Sequence, residues 1–378
     1  MQPVEWSNFP LPLIQVNPPK ISVTNEIVSI AYESGVFSNS AQIQLRASSE
    51  MAKHVRYDLD GYLASSNTSA LTACLIAVGV RGRHVLISNF TFAATLDAVV
   101  LAGGIPVVCD INPDSLTLDI EKVGVVLQSM DYDIAVVMPT RVFGFVSDIS
   151  DLIALCDSHK VKVVVDAAAS FPSQSDSWNF RENALYEVFS LHATKVFGIG
   201  EGGLVVGKSE AIDKVKQTAN FGMLTDGSLK FKDGLNSKAD EFTSARAIAR
   251  FHEYSVDADK RYKFVQMYKD IFSTGTPIRI IKDTPQTIYS YFPIIFESES
   301  LLVKFQETIS PFVMSRRYYF PTIQNGYIGD AKIFYDKDLT CSESIAKRIL
   351  CLPVYVSCTG EAEHEIKRLM EKALENAK

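Results

Sequence analysis

Between residues 61 and 220, short apolar runs rich in valine and isoleucine alternate with stretches of helical spacing. The runs lie at 85–88, 105–109, 133–138, 161–165 and 204–206. Between them lie helical stretches at 71–80, from 90 to the Gly103-Gly104 pair, and at 119–128, 149–159 and 211–218. A run such as Val-Lys-Val-Val-Val at 161–165 is short and β-branched, which marks a buried strand. Strands alternating with helices leave one stable arrangement, a mainly parallel sheet covered by helices and joined by right-handed crossovers. The expected fold class is therefore α/β.

The flanks read differently. Residues 1–24 are proline-rich and lack a period, so they form an irregular arm that either wraps the body or frays. Helices are expected at 26–34 and 41–55, a strand at 57–64, and one long helix at 241–268. Beyond about residue 250 the strict alternation ends. A strand at 289–296 and helices at 300–310, 344–349 and 361–377 suggest a smaller α+β unit. The chain is thus expected to divide into an arm (1–24), a large domain (25–250) and a small domain (251–378).

Composition excludes several function classes. The net charge is −7 and no basic run exceeds Arg316-Arg317, which argues against nucleic acid as the main partner. No apolar run reaches membrane-spanning length, and the first residues lack the charged and apolar regions of a signal peptide. The six cysteines form no CxxC pair and have no histidine at metal spacing. They are expected to be reduced thiols in a cytoplasmic protein without a metal site.

Ligand-binding residues of open parallel sheets gather at the carboxyl ends of the strands. Asp166 stands at such an end, after the 161–165 run; capping of the next turn is the competing reading. Lys195 follows another strand end, walled by Val196 and Phe197 and succeeded by a glycine-rich run to Gly203. Desolvation disfavours the ammonium form, and a neutral amine can form a Schiff base with a carbonyl. A surface lysine beside a tight turn is the plainer alternative. Ser190 and His192 bracket it, and either can hydrogen-bond a bound anion. Small hydroxyl residues at 65–69 precede a helix, where backbone N–H groups and the helix dipole favour an anion. Thr68 or Ser69 can equally serve as an N-cap. Phe92, at the next strand-to-helix turn, reads by itself as a core phenylalanine.

Ser-Leu-His-Ala-Thr-Lys followed by Glu-Gly-Gly resembles the cofactor-lysine segment of the DegT/DnrJ/EryC1/StrS family of sugar aminotransferases. These are pyridoxal-phosphate (PLP) enzymes of the aspartate aminotransferase, or type I, fold. Similar segments extend from about residue 38 to the C-terminal helix, among them Pro139 to Gly144, Asn220-Phe221-Gly222 and Gly234 to Asp240. The resemblance implies that Lys195 is catalytic and carries PLP, and that Asp166 pairs with the pyridine nitrogen. It implies that Phe92 stacks on the ring, that Thr68 and Ser69 hold the phosphate, and that Ser190 belongs to the cofactor site. It also implies that Asn220 reaches the phosphate of a neighbouring subunit in a homodimer. Arg316 to Pro321 is similar to the Arg-Arg-Tyr-Phe segment of members acting on thymidine-diphosphate keto-deoxysugars. Arg316, Arg317, Tyr319 and His192 are thus the substrate candidates, since paired arginines suit a pyrophosphate; a solvated surface is the equal alternative for the arginine pair.

The implied reaction moves an amino group from L-glutamate to a nucleotide-linked keto sugar, with a dTDP-4-keto-6-deoxyhexose preferred and the product destined for a surface polysaccharide such as an O-antigen. A 3-keto sugar or cyclitol acceptor, a dehydratase and a non-catalytic PLP-binding regulator are the alternatives. Lys195 opposes the dehydratase, since those relatives carry histidine there. Three positions depart from the family pattern. Asn67 replaces a glycine, and Lys238 stands where arginine is frequent. Ala169 occupies the place of a glutamine or histidine that contacts the cofactor's phenolic oxygen.

Overall fold

The computed structural model describes residues 3–7, 9–129, 131–174, 183–223, 227–228, 233–273 and 275–377. In chain order its strands are β1 (Asp60–Ala64), β2 (His84–Ser88), β3 (Ile105–Cys109), β4 (Ile134–Met138), β5 (Lys162–Asp166), β6 (Ala184–Ser190), β7 (Gly203–Gly207), β8 (Ile278–Ile280), β9 (Phe292–Phe296), β10 (Phe334–Tyr335) and β11 (Ile349–Leu352). Its helices are α1 (Ile21–Ser34), α2 (Gln42–Val55), α3 (Asn67–Val78), α4 (Ala93–Leu101), α5 (Ile120–Gln128), α6 (Ser150–Ser158), α7 (Ser209–Ala219), α8 (Glu241–Glu253), α9 (Ser255–Ile271), α10 (Glu299–Ile309), α11 (Ile323–Gly326), α12 (Thr340–Arg348) and α13 (Gly360–Ala377).

Eight strands form the large sheet in the order β1-β7-β6-β5-β4-β2-β3-β10. Only β7 runs against the others, pairing antiparallel with both β1 and β6. Alternation along each strand sends side chains to opposite faces. In β5, Val163 and Val165 join one core with residues of α2, α5, α6 and α8, and Val164 joins another with residues of α3, α4 and α7. Helices therefore cover both faces, and the strand interiors are apolar on both sides, as a buried parallel sheet requires. The expected α/β class and the mainly parallel sheet are borne out.

A second, antiparallel sheet has the order β11-β9-β8. Its core includes Phe292, Ile294 and Leu350 with residues of α9, α10 and α13. The N-terminal arm wraps this part of the chain: Val4 bridges to Cys358, Leu11 bridges to Val313, and Leu11 is fully buried.

Several boundaries move for local reasons. Helix α1 starts at Ile21 rather than 26, straight after Pro18-Pro19-Lys20. Helix α3 starts at Asn67 rather than 71, because Ser66 caps it and Ser69 completes a capping box; the expected cap at Thr68 or Ser69 is corrected to Ser66. The expected 241–268 helix is broken at Tyr254. There Asp257 N–H bonds to the carbonyl of Tyr254, a three-residue turn, and Arg250 pairs with Asp257 across the break at 2.6 Å. The expected 344–349 helix is α12, which starts earlier and yields at Ile349 to β11. No helix among the described residues is long and apolar enough to cross a membrane.

Candidate active site

The carboxyl ends of β1, β2, β4, β5 and β6 open onto one cavity of about 380 Å³. Each end delivers a different group. From β1 comes the start of α3, with Ser66, Asn67 and Thr68; from β2 comes Phe92; from β4, Thr140 and Arg141; from β5, Asp166; and from β6, Ser190, His192 and Lys195. The antiparallel β7 enters at this same end, and its first residue lies against the start of α3. A Cβ on Gly203 would collide with the carbonyl oxygen of Ser66. The glycine run after Lys195 is thus a packing requirement that brings lysine and helix start together.

Asp166 is 3% exposed. Its Oδ2 accepts a 2.6 Å bond from the Thr95 hydroxyl, and its Oδ1 accepts one of 3.1 Å from Ala168 N–H. The Thr95 hydroxyl continues to Thr91 at 2.7 Å, and Thr91 to Thr140 at 3.0 Å. Burial raises the Asp166 carboxyl above its ordinary value, opposed by the two hydrogen bonds and by the charge of Lys195. Burial lowers the Lys195 ammonium, opposed by Asp166. Among the described residues, the Lys195 amine has no hydrogen-bond partner, while its backbone N–H is fixed on the His192 carbonyl at 2.8 Å. A cavity thus holds a buried acid facing a destabilised cation, the pairing that marks functional sites.

The remaining expected residues divide. Thr68 lines the cavity in the first turn of α3, where backbone N–H groups lack helical partners. Ser190 lines it as well and accepts from His192 N–H at 3.3 Å. Phe92 is 55% exposed at the start of α4, its ring against the cavity. His192 faces the cavity with Nδ1 on the Thr194 hydroxyl at 2.8 Å and Nε2 at 3.5 Å from Glu201. Ser69 lies outside the lining; its hydroxyl accepts from Ser66 N–H at 3.2 Å. Asn220 also lies outside, at the end of α7, where its Oδ1 accepts from Lys238 Nζ at 3.0 Å. The adjacent arginines diverge: Arg316 lines the cavity, whereas Arg317 donates to Glu299 and to the Lys347 carbonyl, both at 2.7 Å. Tyr319 lines the cavity, and so does Ala169.

Two supports escaped sequence reasoning. Thr95 supplies the shortest bond to Asp166, and a buried acid always demands such donors. Arg141, 3% exposed, pairs with fully buried Glu187 at 2.6 Å beneath the cavity. An acid within the apolar strand Ala-Leu-Tyr-Glu-Val-Phe-Ser is the signal that a buried cation must lie nearby.

The donor set fits PLP. Asp166 offers a carboxylate for a ring nitrogen, Lys195 an amine for an aldehyde, the α3 N-terminus and Ser190 donors for a phosphate, and Phe92 an apolar face for a flat ring. Fold and site define a PLP-dependent transaminase. A putative PLP-dependent aminotransferase from Bacillus cereus has the same fold, with a TM-score of 0.84 at 22% identity over 97% of this chain and 99% of that one. NtdA from Bacillus subtilis with bound PMP superimposes with a TM-score of 0.79 at 22% identity, covering 94% of this chain and 82% of that one. Residues 25–371 match the DegT/DnrJ/EryC1/StrS aminotransferase family, and the chain belongs to it. The dTDP-4-amino-4,6-dideoxy-D-glucose transaminase of Shigella dysenteriae is 25% identical over 360 residues, 93% of this chain and 96% of that enzyme.

Proposed function

We propose that this transaminase takes its amino group from L-glutamate and delivers it to a nucleotide-linked keto sugar, a dTDP-4-keto-6-deoxyhexose before others. The observation that carries the reading is that Asp166 and Lys195 line one cavity, which exposed Arg316 also lines. The name of the Shigella relative, which refers to a dTDP-amino-dideoxyglucose, supports the sugar class.

When bound, PLP supplies the electron sink that lets a proton leave the α-carbon of an amino acid. Asp166 keeps the ring nitrogen protonated, by placing a carboxylate against it in a dry site. Lys195 holds the cofactor at rest. With the cofactor in place, the Lys195 amine would be the group positioned to take and return the proton of the donor's α-carbon, a role suited to a lysine whose ammonium burial disfavours. Thr68, Ser190 and the α3 N–H groups hold the phosphate, and Phe92 holds the ring from one side. Arg316, at the mouth, takes the carboxylate of the donor and then the diphosphate of the acceptor.

Asn220 and Lys238 lie outside their own chain's cavity, which supports a two-fold homodimer in which each subunit lends Asn220 to the other site. The division into an arm, a domain over 25–250 and a domain over 251–378 belongs to the same proposal. Steady-state kinetics with glutamate and the keto sugar test the reading. Parallel double-reciprocal lines are expected; intersecting lines, or amination of a cyclitol ketone but of no nucleotide sugar, refute it.

A further inference from the structure

The phenolic oxygen of PLP sits on the ring carbon next to the aldehyde-bearing one, with the ring nitrogen two atoms away on the other side. With the nitrogen at Asp166 and the aldehyde carbon at Lys195, that oxygen lies between these two residues along one edge of the ring. It is anionic in the working cofactor, and a buried anionic oxygen needs a donor. Residue 169 is the obvious source, three positions after Asp166 on the wall of the cavity. Here it is alanine, 8% exposed, and a methyl group donates nothing.

The hydroxyls of Thr91 and Thr140 line the cavity but are engaged with each other at 3.0 Å, and Thr91 also with Thr95 at 2.7 Å. Ser290 turns its hydroxyl to the Ala169 carbonyl at 2.9 Å. Tyr319 differs from all of these. Its ring meets four others: parallel to Phe143 at 5.7 Å, edge-on to Phe90 at 5.3 Å, and tilted against Tyr318 at 5.4 Å and Phe92 at 6.5 Å. Among the described residues its hydroxyl has no hydrogen-bond partner, although the residue lines the cavity. The cavity wall thus has no polar side chain at 169, and it carries an unengaged hydroxyl at 319.

We propose that the Tyr319 hydroxyl is the donor to the phenolic oxygen of PLP, in the role that Ala169 cannot fill. Burial and the nearby charge of Asp166 raise the Tyr319 phenol above its ordinary value, so it stays protonated and can donate. Phe143, which stacks on it, follows Arg141 and Val142 in the turn after β4, and Arg141 N–H bonds to the Asp166 carbonyl at 2.9 Å. One turn therefore positions both the acid and the phenol. The assignment makes Tyr319 a cofactor contact rather than a sugar contact, and it rests on the proposed seats of Asp166 and Lys195.

The test is Tyr319→Phe, which keeps the ring and its four aromatic contacts. Two readouts do not depend on turnover: the dissociation constant of PLP from the apoprotein, and the pH titration of the visible band of the loaded enzyme. Loss of one hydrogen bond to a charged oxygen weakens PLP binding about tenfold and moves the titration midpoint up by about one pH unit. Adding Ala169→Gln to the variant supplies a donor from the other wall and restores both values in part. Unchanged affinity and titration in Tyr319→Phe overturn the inference. So does a double variant that stays as impaired as the single one, since it points to a packing defect. If the unaltered protein gains no visible band with PLP, or keeps one in Lys195→Ala, the seats of Asp166 and Lys195 are wrong and the inference falls with them; failure of Tyr319→Phe alone leaves those seats standing.

Discussion

Replacing Thr95 with valine keeps the shape of the side chain and removes one hydrogen bond, the 2.6 Å contact to Asp166. The acid is almost fully buried and retains one bond, from Ala168 N–H. A hydrogen bond to a charged group is worth about 1.5–3 kcal/mol, and a neutral one about half of that. The loss therefore falls mainly on the ionised form. The folded-state pKa of Asp166 is already raised by burial, so between the ordinary carboxyl value and the raised one the native state binds more protons than the unfolded state. In that window stability falls as pH rises. Thr95→Val raises the carboxyl further and extends the window upward. The unfolding free energies of parent and variant apoprotein should differ least under acid conditions, where Asp166 is protonated in both. The gap should widen by about 0.8–1.5 kcal/mol toward neutral pH. Urea titrations at acid and neutral pH measure it. A gap that stays constant with pH, or narrows as pH rises, refutes the claim that Thr95 sustains the ionised carboxylate.

Borohydride reduction of the loaded enzyme should attach the cofactor to the peptide containing Lys195; recovery on another lysine excludes the assigned role. Arg316→Ala should raise KM for the acceptor about tenfold with a smaller effect on kcat, the signature of lost binding. Arg317→Ala should instead lower the urea midpoint, because its guanidinium is committed to Glu299 and the Lys347 carbonyl; equal kinetic effects of the two would contradict their divergence. Mixed dimers of Lys195→Ala and Asn220→Ala chains carry one intact site each, so remixing two inactive pools should recover about a quarter of the parent activity. No recovery would exclude sharing through Asn220.

The proposed pair, Asp166 and Lys195, was legible because chemistry restricts its residue types. An acid ending a β-branched run and a lysine entering a glycine run each have a plainer reading alone, and the resemblance of the surrounding segments singles them out. Strands such as β3 and β5 were legible because both their faces are apolar. Short elements were not: β10 spans two residues, and its pairing with β3 depends on tertiary approach rather than on its own pattern. The break between α8 and α9 was hidden because Arg250 and Asp257 both suit a helix, and only their pairing reveals the turn. Arg316 and Arg317 look equivalent in sequence, but neighbouring residues in an irregular segment face different ways.

The supports of the site resist sequence reading for a different reason. A buried carboxylate requires donors but does not specify which residues provide them, and any hydroxyl or amide brought within reach suffices. Asp166 draws its donor from a residue 71 positions earlier in the chain, and Arg141 finds its acid 46 positions later, two strands across the sheet. Position in the fold, not residue type, selects such partners. A departure at one wall of the cavity, as at Ala169, can therefore be answered from another wall without a nearby trace in the sequence. Reading Ala169 alone suggests a missing contact. Beside it stands a tyrosine 150 positions away, lining the same cavity with a hydroxyl that has no partner among the described residues, and as the proposed donor it makes the missing contact a relocated one.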